Sequence, residues 1–183
     1  MNSTAPAGKA DPAMARAGGR FARSKPRCRL ALTVQYAAAN DGLPTRSRLR
    51  AWVRAALQHD ADVTVRLVAA EEGRMLNRQY RGRDHATNVL TFAYPETDPL
   101  SGDIALCVPV VACEAREQHK NPQAHYAHLV VHGMLHLQGY DHEAAANTRD
   151  MEVLETEIVT GLGYADPYKS KDEGGGTRMR DEG

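Results

Sequence analysis

Asp103-Ile104-Ala105-Leu106-Cys107-Val108 reads as a short strand, and Pro109-Val110-Val111-Ala112-Cys113-Glu114-Ala115-Arg116-Glu117-Gln118, directly after it, reads as a helix. All of the chain's strand patterns lie on the N-terminal side of this junction, and only helical patterns follow it. Strands first and helices later implies an α+β domain, with no internal repeat and no glycine fingerprint of a dinucleotide-binding βαβ unit.

Working outward toward the N-terminus, Asn88 to Tyr94 reads as another strand, and Glu71 to Tyr80 as a short helix with Met75, Leu76 and Tyr80 turned inward. Val63, Val65 and Leu67 alternate with Thr64 and Arg66 in a further strand. Leu49, Trp52, Val53, Ala56 and Leu57 repeat at helical spacing after Thr45, a candidate N-cap. Leu30, Leu32, Val34 and Tyr36 alternate in the first strand. Toward the C-terminus, Asn121 followed by Pro122 is a cap and first-turn start for a helix. Asn147, with Asp150 three residues on, opens the last helix, whose expected inner face is Met151, Leu154, Ile158 and Leu162.

At 183 residues, with 42% hydrophobic and 25% charged residues, the chain has the size and composition of one globular domain. No stretch approaches the roughly 18 uninterrupted apolar residues of a membrane span. Residues 1–29 carry seven basic side chains against Asp11 alone and show no apolar period, and are expected to form a disordered basic arm. They lack the apolar segment of a secretory signal and the amphipathic stripe of a transit peptide. Residues 169–183, with Gly174, Gly175 and Gly176 among mixed charges, are expected to be a flexible tail, which leaves 30–168 as the domain. Cys28, Cys107 and Cys113 are odd in number and lack CxxC spacing, which suits reduced thiols in a cytoplasmic protein.

The net charge of zero is a cancellation. Residues 1–90 hold 16 Lys and Arg against 7 Asp and Glu, and residues 91–183 hold 7 against 16. An overall basic surface is excluded, so a nucleic-acid partner has to be met by a local patch or by the arm.

Six of the eight histidines fall between His119 and His142, three of them in His132-Gly133-Met134-Leu135-His136-Leu137-Gln138-Gly139-Tyr140-Asp141-His142. His132 and His136, four apart on a helix, project from one face and can share an ion. Gly139 can take the left-handed conformation that ends the helix and returns His142 toward the pair. Three imidazoles leave the fourth position of a zinc ion open to water, the catalytic arrangement. His128, four before His132, offers a competing ligand or a group that supports one, but is expected in a packing or surface role, and Asp141 either orients a ligand histidine or caps the turn.

The ligand spacing matches the metzincin peptidases, but the residue after the first histidine is Gly133 where those enzymes carry their glutamate base. Peptidase chemistry is therefore disfavoured. Arg81 and Arg83, at a helix-to-strand loop, offer planar forks for phosphate oxygens or a salt bridge to Asp84.

Taken together, Tyr80-Arg81-Gly82-x-Asp84, Thr87-Asn88-Val89-Leu90-x-Phe92, Gly102-Asp103-Ile104, the histidine segment, Glu155-Thr156-Glu157-Ile158 and Leu162-Gly163-Tyr164 resemble the YbeY family of bacterial zinc-dependent endoribonucleases, over about Leu30 to Tyr168. The resemblance implies an α+β fold with a small mixed sheet packed with helices, like a zinc-peptidase catalytic core. It implies one zinc ion on His132, His136 and His142, with Arg81 as the functional arginine near it. It further implies single-stranded RNA as substrate, maturation of the 16S ribosomal RNA 3′ end, ribosome quality control on the 70S particle or small subunit, and neither DNA nor membrane as partner. Two competing functions are a ribosome-assembly factor with a mainly structural metal site and a peptidase lacking its glutamate.

Overall fold

A computed structural model describes residues 28–39, 41–95, 97–140 and 145–169. Most of the expected arm (1–27), most of the tail (170–183), Asp141 and His142 lie outside the described residues.

The described chain runs β1 (Leu30–Tyr36), α1 (Arg46–Ala56), β2 (Ala61–Val68), α2 (Ala70–Arg81), β3 (Val89–Tyr94), β4 (Leu100–Cys107), α3 (Val108–Glu117), α4 (Pro122–Leu137) and α5 (Ala145–Gly161). The sheet order is β1-β2-β4-β3, with β1, β2 and β4 parallel and β3 antiparallel to β4 along the edge. The domain is thus α+β with a mixed sheet. Its segregation is partial, since α1 and α2 stand between strands, as parallel neighbours require a crossover.

Register assigns the two faces of the sheet. Leu32, Val63, Gly102 and Ala93 align across it, as do Val34, Val65, Ile104 and Thr91. This inner face meets α1 and α4 in the core, where Leu49, Val53, Val130, Met134 and Leu135 are buried to 0% exposure or close to it. Each such side chain contributes about 1.5–3 kcal/mol by leaving water. Two start signals hold: Thr45 accepts a hydrogen bond from the Arg48 N–H, and Asn121 accepts one from the Gln123 N–H, whereas α5 begins at Ala145 and places Asn147 inside the helix.

The outer face sets Thr64, Arg66 and Asp103 beside Phe92, Leu90, Ala105 and Cys107, and α2 lies on this side. This overturns the inward face expected for α2. Met75 is 61% and Tyr80 60% exposed, Leu76 is half-buried, and the buried positions are Gly73 and Asn77. The helix comes close to the sheet at Gly73, where a Cβ would stand 3.0 Å from the Cys107 sulfur and 3.7 Å from a Val68 methyl. Asn77 donates instead to the His85 carbonyl at 2.7 Å, tying down the loop after α2.

The inner face expected for α5 packs on the core, with its centre shifted onto Glu155 and Val159. Met151, Glu155 and Val159, four apart, are the buried positions, and Leu154, Ile158 and Leu162 flank them half-exposed. Of the cysteines, Cys107 is the buried one, and burial pushes its thiol up.

Candidate metal centre

α4 is the element that carries the site. Its underside approaches the sheet closely because Gly133 faces Ile104 and Thr91: a Cβ there would lie 3.1 Å from two Ile104 carbons and 3.2 Å from the Thr91 hydroxyl. The position after the first histidine therefore points into the sheet, and a glutamate base has no room in it.

The helix ends as its glycine foretells. Gly139 has φ of +90°, its N–H donates to the His136 carbonyl at 3.0 Å, and the Tyr140 N–H donates to the Leu135 carbonyl at 3.1 Å. These two bonds are those of a Schellman cap. The Gln138 side chain locks the turn to α1 by donating to the Ala56 carbonyl and accepting from the Gln58 N–H.

Above this cap, His132 and His136 turn their Nε2 atoms toward each other at 3.1 Å. The other ring nitrogens are already engaged. The Nδ1 of His136 donates to the Tyr140 carbonyl at 2.8 Å, and the Nδ1 of His132 donates to Glu155 Oε1 at 2.8 Å. A carbonyl and a carboxylate only accept, so each neutral imidazole carries its proton on Nδ1 and presents its Nε2 lone pair to the other. Two nitrogens sharing a tetrahedral zinc at the usual bond length stand about 3.3 Å apart. The donor set thus fits a shared cation in both spacing and tautomer. Among the described residues, no three His, Cys, Asp or Glu side chains form a metal-holding group. The third expected ligand, His142, lies outside them.

Glu155 holds this arrangement from across the core. It is 0% exposed, accepts from His132 and, at 2.7 Å, from His128 Nε2, and also accepts the Tyr168 hydroxyl. Burial pushes its carboxyl up, but the hydrogen bonds from His128, His132 and Tyr168 outweigh burial and hold it at about 2. Burial, and then the bond to Glu155, push the Tyr168 phenol far above its ordinary value. The expected packing or surface role of His128 is replaced by this bond, which turns its Nε2 to the carboxylate. Glu155 orients the His132 ring through Nδ1, and Asp141, considered for such a part, lies outside the described residues. Its sequence signal is a charged residue at the centre of the Met151, Glu155, Val159 stripe.

Arg81 closes the last turn of α2, before Gly82 with φ of +66°. Asp84 is taken by Arg74, which grips both carboxylate oxygens at 2.8 and 2.7 Å and holds that carboxyl below its ordinary value. Arg81 is exposed and makes no side-chain hydrogen bond or ion pair among the described residues. No contact joins it to the two histidines there, since α2 lies across the sheet from α4.

The family model described as Endoribonuclease YbeY matches residues 39–163. A relative from Aromatoleum aromaticum named Endoribonuclease YbeY is 59% identical over 143 residues, covering 76% of this chain and 93% of its own length. One of the same name from Nitrosospira multiformis is 52% identical over 165 residues, covering 82% and 87%. A Thermotoga maritima protein solved in solution aligns with TM-score 0.47 and 28% identity over 75% of this chain and 99% of its own. On the family match and on relatives spanned over most of their length, the chain belongs to the Endoribonuclease YbeY family.

Proposed function

We propose that the chain is a zinc-dependent endoribonuclease that cleaves single-stranded ribosomal RNA, acting in 16S 3′-end maturation and 70S quality control in the cytoplasm. Family membership supports RNA cleavage, and one observation carries the metal: the facing Nε2 pair of His132 and His136, each held in the metal-binding tautomer through Nδ1. His132, His136 and His142 would hold one zinc ion. Zinc supplies Lewis acidity, polarising a phosphoryl oxygen and making water more acidic.

The chain's own groups do the rest. Glu155 and the Tyr140 carbonyl keep both imidazoles oriented, and Gly133 leaves the adjacent position without a base, so the site favours a substrate that needs charge neutralisation. Arg81, exposed at the end of α2, binds a phosphate of the RNA strand with its two-pronged fork. The attacking oxygen is that of water or of the RNA 2′-hydroxyl, which mapping of product ends distinguishes. The test is zinc content together with cleavage of unstructured and base-paired RNA. His136→Ala should lose zinc and cleavage, and Arg81→Ala cleavage alone. Full cleavage by metal-free protein or by Arg81→Ala would overturn this reading.

A further inference from the structure

Tyr80, expected in the core, stands on the outer face of the sheet with 60% of its surface open, and its ring packs against Phe92 at 4.7 Å between centroids. Tyr94 beside them is 48% exposed. These rings edge a hollow of about 280 Å³, lined also by Thr64, Arg66, Leu76 and Asp103, on the opposite side of the sheet from the histidines. That volume is at the lower end of small-molecule sites, room for one planar ring system and not for a chain.

The charge inside selects what enters. The guanidinium of Arg66 is engaged by Glu72 at 2.7 Å and Gln35 at 2.6 Å, and Asp103 adds a carboxylate that accepts the Tyr94 hydroxyl at 2.5 Å. A phosphate would meet a negative balance there. A neutral heterocycle would meet an aromatic face and oxygen acceptors for its N–H groups. The cation for a phosphate lies outside the hollow, on Arg81, the residue after Tyr80.

We propose that this hollow is a nucleobase subsite: one base of a single-stranded RNA stacks on Tyr80 within it while the neighbouring phosphate is held by Arg81. The subsite rests on the reading of the chain as an RNA-cleaving protein and adds a base-reading position remote from the histidines. Stacking of this kind tolerates different bases because each has a π-face.

The test is fluorescence anisotropy with the full chain as purified, using a short 2′-O-methyl single-stranded oligonucleotide and the same oligonucleotide with its central bases removed. Tyr80→Ala should weaken binding of the base-bearing strand roughly ten- to hundred-fold and leave the abasic strand unchanged. Tyr80→Phe should bind as the wild type does, and Arg81→Ala should weaken both strands. Wild-type affinity in Tyr80→Ala, or an equal loss on both strands, would overturn the subsite. RNA cleavage is scored separately: a Tyr80 effect in a protein that cleaves no RNA would refute the cleavage reading and leave the subsite standing. Cleavage without a Tyr80 effect would do the reverse.

Discussion

Replacing Glu155 with Gln keeps the shape of a fully buried side chain and changes only what it can accept. The carboxylate takes three donors, from His128, His132 and Tyr168. An amide has one oxygen and an NH₂ that must itself donate, so at least one of the three loses its acceptor. If that one is His132, its proton moves from Nδ1 to Nε2, the atom facing His136, and a metal-binding lone pair becomes an N–H. The sign of the stability change follows from the carboxyl itself. Held at about 2 against an ordinary 4.5, it is favoured in its ionised form by the folded protein, by roughly 3 kcal/mol. A neutral isostere forfeits an amount of that order, as does the loss of one or two charge-assisted bonds. For a domain of this size that corresponds to a melting temperature lower by about 5–12 °C. Affinity for zinc should fall about 10–100-fold through the lost orientation. Circular dichroism melts in chelator isolate the first effect, and competition with a zinc-binding dye measures the second. A variant that melts within about one degree of the wild type and binds zinc equally well would refute the role assigned to Glu155.

Other consequences can be checked as directly. In Gly102→Ala the new Cβ would stand 2.4 Å from a Leu137 methyl and 2.6 Å from the Phe92 carbonyl oxygen, and that backbone oxygen cannot turn aside; urea unfolding should show a loss of about 1–3 kcal/mol. Burial holds the His125 imidazole below its ordinary value, only partly offset by its hydrogen bond to Glu114. The unfolded chain therefore takes up a proton below about pH 6.5 that the folded protein resists, and stability, full above that pH, declines as pH falls. His125→Gln should flatten this decline in urea midpoints measured down to about pH 5, and an unchanged slope would remove His125 as its source. The six basic residues of 1–28 predict that deleting this segment weakens RNA binding at low salt and lessens its salt dependence; unchanged affinity would leave the arm without a role in binding.

What the sequence disclosed and what it hid divide by distance along the chain. The caps at Thr45 and Asn121, the stripe of α1, the turn at Gly139 and the sharing of one helix face by His132 and His136 are relations within about one turn, which local spacing expresses directly. The outward face of α2 depends on a sheet surface assembled from β2, β3 and β4, and no pattern within residues 70–81 records what they will meet. A hydrophobic residue there is equally consistent with core and with an open aromatic surface, and Tyr80 occupies the second. The same limit applies inside the site. Spacing named two nitrogen donors, but whether they present lone pairs or protons is set by the Tyr140 carbonyl four residues on and by Glu155, 23 residues away on another helix. On a helical wheel Glu155 is an interruption of an apolar stripe. In the fold it is the group that turns the Nε2 of His132 toward His136, so a charged residue interrupting a buried stripe is best read together with the histidines it can reach.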